Sequence, residues 1–278
     1  MTEPLPVPEP PAATDQPPLN LSIAAIVLLL HALALAAFTQ PFRPAYLALG
    51  AAFYAWGALS TTLYLHRCLT HKGLRLAAPM RWFFALGTAI SLGGDPVVWV
   101  GIHRRHHARS DGPGDPHAPG HGFWRAHFLW ALRVTPEMER DFRGLAQDVR
   151  ADPVCRALER PAVYAGAHVL VALAVWWAGG WPALTWGFYL PMVLLVHATY
   201  AVNSVCHVPA FGARPHETRD TSRNVWWLAL PTFGEAYHNN HHADPRCARH
   251  GRSWREPDLT AGTVWLLEKL RLARDVAW

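Results

Sequence analysis

The sequence predicts an all-α membrane protein: four transmembrane helices under a helical cap on the cytoplasmic side. Three observations lead there. Charged residues make up 16% of the 278 positions and hydrophobic ones 51%, whereas soluble domains carry about 25% charge. Four apolar stretches have the roughly 20 residues that a helix needs to cross about 30 Å of hydrocarbon. Of the 25 Lys and Arg, 14 lie between Arg67 and Arg160 and ten after Cys206, leaving only Arg43 elsewhere. Basic segments stay on the cytoplasmic side, so both polar blocks belong there.

Each element follows in order. Residues 1–18 hold seven prolines, no Lys or Arg and no aromatic residue, the composition of a disordered tail. They lack the basic start of a signal peptide. The first span covers 19–39, with Asn20, Ser22 and His31 as its polar residues before the end, and the second covers 45–65. The cap begins at 66 and runs to 160. Within it, Trp82–Ile102 looks like a span but is not one. Its apolar part ends at Leu92 and Gly93-Gly94-Asp95-Pro96 follows, so it is interfacial or buried. Residues 161–179 and 182–206 form spans three and four, a hairpin turned by Gly179-Gly180-Trp181-Pro182. An even number of spans between the basic blocks leaves both on one side. The cap resumes over 207–278 and includes a membrane-surface amphipathic helix around Val264-Trp265-Leu266-Leu267 with Lys269, Arg271 and Arg274. Residues 19–278 thus read as one domain, without internal repeats. The basic residues form no single stripe, which excludes nucleic acid as a partner. The four cysteines show no C-x-x-C pair and read as free thiols.

Chemistry concentrates in the histidines. Eight of the 17 fall in three groups: His66-x4-His71, His103-x2-His106-His107 and His238-x2-His241-His242. Residues at i, i+3 and i+4 of a helix share one face, so each H-x-x-H-H group can aim three rings at one point. A metal of the zinc type needs three or four protein ligands; eight histidines therefore point to two metals. Spacing leaves zinc, copper and iron open, since imidazole suits all three. Tyr200, Asn203 and His207 form a polar stripe down the fourth span, and polar groups in a span usually face a functional interior. His31, His168 and His197 suit helix–helix hydrogen bonds. His117, His127, His216 and His250 suit the orientation of ligands or carboxylates. Asp111, Asp115, Asp220 and Glu235 are placed to accept the distal N–H of a ligating imidazole. Trp99, one turn before His103, suits a cavity wall.

His66-Arg-Cys-Leu-Thr-His71, His103-Arg-Arg-His-His107 and His238-Asn-Asn-His-His242 together resemble the three histidine boxes of membrane fatty acyl desaturases, the delta-9 and acyl-CoA type included. Ser110-Asp111, Gly114-Asp115-Pro116-His117, Gly122-Phe123-Trp124, His127, Asn203-Ser-Val-Cys-His207, Asp220-Thr-Ser-Arg-Asn224 and Ala248-Arg-His-Gly251 resemble further segments of that family, so the likeness covers about 45–275. The resemblance implies two irons held by His66, His71, His103, His106, His107, His207, His238, His241 and His242, with Asn203 reaching one iron through water. No catalytic residue beyond these is implied. It also implies O2 as co-substrate, electrons from a separate ferredoxin or cytochrome b5 type carrier, and an acyl chain carried on CoA, on lipid or on acyl-carrier protein. Gly50 and Tyr54 fall where the family closes its acyl tunnel. A multi-pass protein of a bacterial inner membrane, its site facing the cytoplasm, is the expected setting. Two departures stand out: Glu235-Ala236-Tyr237 replaces Glu-Gly and Trp or Phe before the third box, and Gly120-His121 replaces a basic pair that holds CoA phosphates in animal members. Two other readings remain: a di-iron hydroxylase of the alkane or sterol oxygenase type, whose first box is usually H-x3-H, and a membrane metal transporter, which would bind near the bilayer midplane.

Overall fold

The computed structural model describes residues 17–278, so the Pro-rich tail expected over 1–18 lies almost wholly outside the described residues. The chain is mostly helical. Helix α1 (Leu21–Leu35) starts at Asn20, whose side chain accepts from the Ile23 N–H, and ends in a 3-10 turn, Ala36–Thr39. Helix α2 (Pro44–Leu59) has proline in its first turn, where the missing N–H costs nothing, and runs without a break into a π-helical coil, Ser60–Thr70. Strand β1 (Arg75–Leu76) precedes α3 (Ala78–Ile90) and α4 (Pro96–Arg109). The Trp82–Ile102 stretch is thus two helices with a break between them. Trp82, Phe83 and Leu86 of α3 are exposed while Phe84 and Ala85 are buried, which fits an interfacial helix.

Short helices α5 (Pro136–Leu145), α6 (Gln147–Arg150) and α7 (Pro153–Leu158) follow. Helix α8 (Pro161–Leu184) then leads through a wider coil, Thr185–Tyr189, into α9 (Leu190–Ser204). At Gly180 the backbone takes φ 65°, ψ −163°, a conformation only glycine adopts readily. The chain reverses there: the His168 ring packs against Phe188 and Tyr189. Among the described residues, two helices are long and apolar enough to cross a membrane, Leu21–Thr39 and the 47-residue stretch Pro161–His207 that contains this reversal. These helices expose large apolar side chains, among them Leu28 (70%), Leu170 (69%) and Trp177 (86%).

Helices α10 (His238–Ala243) and α11 (Leu259–Lys269) and strand β2 (Ala273–Arg274) finish the chain. The C-terminal helix ends at Lys269, short of the expected Arg274, because residues 273–274 pair antiparallel with β1. It buries Val264 and Leu267 and exposes Trp265 and Leu266. One core joins the π coil to α3, α4, α7 and α11 through Leu63, Leu65, Val97, Val100, Val154 and Val264. A second joins α1, α8 and α9 through Ala34, Val175, Phe188 and Met192. The α4–α5 crossing is close: a methyl at Gly101 would lie 2.0 Å from the Phe142 carbonyl oxygen.

Candidate metal centre

The three histidine groups meet at one place, but each divides. A π coil repeats its hydrogen bonds at i→i+5, and the His71 N–H donates to the His66 carbonyl. The four intervening residues therefore leave His66 and His71 with ring centroids 4.8 Å apart. On α4, His103 and His107 (i, i+4) turn to the same side as that pair, while His106 turns away. On α10 the phase is reversed: His241 joins the first set, and His238 with His242 joins His106. The result is a cluster of His66, His71, His103, His107 and His241 beside a cluster of His106, His238 and His242, the ligand atoms of each lying within 4.8 Å of one another. Three rings per group at a single point, the simple expectation, is thus corrected: i and i+4 share a direction closely, and i+3 departs enough to serve a neighbour. His207 packs its ring 5.1 Å from His238 and 6.0 Å from His106, on the side of the smaller cluster. Asn203 lines the cavities beside His103 and His238.

The nitrogens show what the clusters suit. His106 Nδ1 donates to Asp115 (2.9 Å) and His242 Nδ1 to Asp220 (2.6 Å), while His207 Nδ1 lies 3.0 Å from Asp111 and His66 Nδ1 lies against Glu235. A carboxylate only accepts, so the outer nitrogen of each ring carries the proton and the inner Nε2 presents a lone pair. Yet His106 and His242 face each other Nε2 to Nε2 at 3.3 Å. His241 Nε2 lies 3.1 Å from that of His66 and 3.0 Å from that of His107, which is 3.0 Å from that of His103. The Nε2 atoms of His71, His207 and His238 are buried without a partner. Leaving a buried polar atom unmade costs about 1–3 kcal/mol, and here several converge. A proton on His106, which Asp115 favours against the cost of burial, satisfies one pair only. Burial, and after it the neighbouring imidazoles, push His71, His103, His107, His238 and His241 well below the ordinary value. His242 is pushed down by burial to about 4, against the pull of Asp220. Neutral rings with inward lone pairs are the metal-binding form. The residues fit two cations.

The carboxylates are set for this task. Burial alone would raise Asp115 and Asp220, but His106 beside the one and His242 bonded to the other hold both well below the carboxylate range. Sequence reasoning missed Arg67. It is 1% exposed and bonds the Ala248 carbonyl (2.7 Å), Glu235 (3.0 Å) and Asp258 (3.1 Å). Through Glu235 it braces His66. The only local signal was an arginine between the two histidines of the first group, with its partners far away in sequence.

The other histidines sort themselves. His117 lies 4.3 Å ring to ring from His106 and 3.6 Å from Asp115. His250 packs 4.5 Å from His241 and contacts Arg67 at 3.3 Å. His216 is exposed and bonds Asn239 through its backbone. His127 sits apart from the clusters, in a chain running from Ser204 (2.9 Å) through His127 and His197 (3.0 Å) to His31 (2.9 Å). That chain ties α1 to α9.

A cavity of about 340 Å³ runs up to His103 and Asn203, lined by Leu195, Thr199 and Trp99 among others. A smaller one of about 50 Å³ continues past His66 and His238. Trp99 lines both and stacks on His103 at 5.2 Å. Gly50 and Tyr54 line neither. Gly50 packs on Pro191 and the Trp186 backbone, and the Tyr54 hydroxyl donates to the Pro231 carbonyl (2.6 Å).

Residues 41–254 match the model of the fatty acid desaturase family. The chain is 37% identical over 268 residues to an sn-1 stearoyl-lipid 9-desaturase of Anabaena variabilis, covering 95% of this chain and 96% of that one. It is 38% identical over 266 residues to an icosanoyl-CoA 5-desaturase of Limnanthes douglasii (93% and 72%) and 42% over 222 residues to an acyl-CoA C20 Delta5-desaturase of Anemone leveillei (79% and 70%). The protein is a member of the fatty acid desaturase family and an oxidoreductase that desaturates fatty acyl chains.

Proposed function

We propose that His66, His71, His103, His107 and His241 hold one iron and His106, His207, His238 and His242 a second, with Asn203 reaching it through water, in a single domain over 19–278. The observation that carries this reading is the Nε2-to-Nε2 convergence at 3.0–3.3 Å. Desaturation takes two hydrogens from adjacent methylenes. With two electrons and two protons from outside, one O2 leaves as two waters and a cis double bond remains. Iron supplies the oxygen activation for an unactivated C–H bond; zinc has no redox chemistry to offer. The chain's own residues position. Asp111, Asp115, Asp220 and Glu235 fix four imidazoles, which raises their basicity as ligands. Trp99 walls the acyl cavity beside His103, and apolar residues such as Leu195 and Val196 keep water out. The electrons come from a separate carrier of ferredoxin or cytochrome b5 type.

The apolar stretches at 19–39, 45–65, 161–179 and 182–206 span the membrane, with the cap in the cytoplasm. This rests on the exposed apolar faces of α1 and α8 and on the placement of the basic residues. A single cysteine introduced at Gln40 or Trp181 in a cysteine-free background should react with an impermeant maleimide only from outside the cell, and one at His216 only after lysis. Labelling of all three from one side contradicts the four-span topology.

The function itself is tested by lipid profiling. A host expressing the chain should gain monounsaturated acyl chains that a host expressing His106→Ala lacks. Hydroxylated chains in place of alkenes, or no change, count against the reading.

A further inference from the structure

A second pocket, of about 650 Å³, has no histidine in its lining and takes no part in the metal centre. Five cations wall it: Lys72 after the π coil, Arg75 and Arg274 on the β1–β2 ribbon, Arg81 on α3 and Arg246 after α10. Two carboxylates, Asp152 and Asp275, line it as well. Arg81 is paired with Asp152 at 2.5 Å. Arg75 meets Asp275 only at 3.5 Å, and the two side chains are 72% and 61% exposed. Lys72 shares Asp148 with Arg104. Arg246 and Arg274 have no carboxylate partner among the described residues. Even with Asp148 counted in full, five cations face three carboxylates.

The backbone holds this excess in place. Arg75 and Arg274 are directly opposite each other across the ribbon, where like charges repel. Lys72 and Asp275 take left-handed backbone, with φ 55° and 54°, which costs a residue with a side chain about 1 kcal/mol or more. The rim of the pocket is apolar. Trp82 and Phe83, next to Arg81, are exposed, as are Leu266 and Leu270 at the end of α11. Phe83 stacks on Trp56 of α2 at 5.1 Å, and its carbonyl accepts from the Trp56 indole N–H (3.0 Å). This joins the start of α3 to the helix read as the second span. Exposed aromatic residues so placed lie at the headgroup level of a bilayer.

We propose that this pocket holds the headgroup phosphate of an anionic membrane phospholipid, of the phosphatidylglycerol kind, and so seats the cap on the bilayer. Arginine is the side chain best shaped for phosphate, since its planar fork gives two parallel hydrogen bonds. A phosphate between Arg75 and Arg274 removes their repulsion and gives Arg246 a partner. A zwitterionic lipid brings its own cation and leaves the excess uncancelled; an anionic one does not. The lipid tails then lie along Trp82 and Phe83, which a free phosphate leaves uncovered. The site is separate from the acyl cavity, and the proposal rests on the membrane reading given above, not on the desaturase chemistry.

The test titrates the purified full-length protein in detergent with dioctanoyl phosphatidylglycerol or dioctanoyl phosphatidylcholine, and bound lipid is counted by native mass spectrometry. Phosphatidylglycerol should bind at least about tenfold more tightly. Arg246→Gln with Arg274→Gln should weaken it about thirtyfold, since each cation at an anionic surface contributes roughly a factor of five. Both side chains are exposed, so thermal unfolding should not change. Arg140→Gln with Arg255→Gln removes the same charge from exposed positions outside the pocket and should leave lipid binding as it was. Equal binding of the two lipids overturns the proposal, and so does undiminished phosphatidylglycerol binding in the Arg246, Arg274 variant. Inorganic phosphate that binds as tightly as phosphatidylglycerol makes the pocket an ion site and overturns the lipid assignment. An acidic ferredoxin held through the same two arginines, with no preference between the lipids, overturns it in favour of a protein partner. Each of these results leaves the four-span reading standing, which the cysteine labelling tests by itself.

Discussion

His107→Ala should abolish desaturation and empty the larger histidine cluster. His107 Nε2 lies 3.0 Å from the Nε2 atoms of both His103 and His241, so its ring stands in the middle of the five. A bound metal supplies several kcal/mol of transition-state stabilisation, and each 1.36 kcal/mol is tenfold in rate. The expected loss is therefore about 10³-fold or more, below detection in a lipid profile. Iron per chain should fall in parallel. The ring is only partly buried, so the fold should survive the change. Thermal unfolding within a few degrees of the parent, at matched metal, checks that. A His107→Ala protein that keeps its activity contradicts the assignment of the larger cluster.

Glu235→Ala should have the second-largest effect, and it acts through two partners. Glu235 sets one oxygen against His66 Nδ1 and accepts from Arg67 (3.0 Å) on the other. Removing it leaves a guanidinium that is 1% exposed with Asp258 as its remaining carboxylate. Breaking a buried pair in this way costs about 3–5 kcal/mol, and Asp258 should keep the loss near the lower figure. Loss of an outer hydrogen bond to a metal ligand typically costs 10–100-fold in metal affinity. Glu235→Ala should therefore unfold earlier on heating and give up iron to a chelator sooner. Glu235→Gln keeps an oxygen for one partner and should fall between. Unchanged unfolding and unchanged iron retention in Glu235→Ala contradict this account of the Arg67–Glu235–His66 link.

Much of the site was legible because histidines packed at helical spacing in an apolar chain have few other uses. The carboxylates were legible for a related reason. Asp111 and Asp115 follow their box within nine residues, and Glu235 precedes its own by three. How the boxes divide was not legible, because it depends on the phase at which α4 and α10 face one another. The π coil also left no mark. Its i→i+5 repeat brings His66 and His71 together, but buried residues on all its faces give no period to read. Arg67 escaped because its partners lie 168 and 191 residues away. Trp99 does wall the cavity, whereas Gly50 and Tyr54 do not line it. In the fold, the break at Gly93-Gly94-Asp95 and the reversal at Gly180 were plain from glycine and proline. The β1–β2 pair, two residues long on each side, carries no sequence signal, and it cut short the helix expected up to Arg274.

The central claim is that nine imidazoles grip a pair of redox-active ions. Metal analysis of the purified protein, grown in iron-sufficient medium without added zinc, tests it most directly. Two irons per chain, falling toward one in His107→Ala, is the result this account predicts. A protein that holds zinc, a single metal, or none while remaining folded contradicts it.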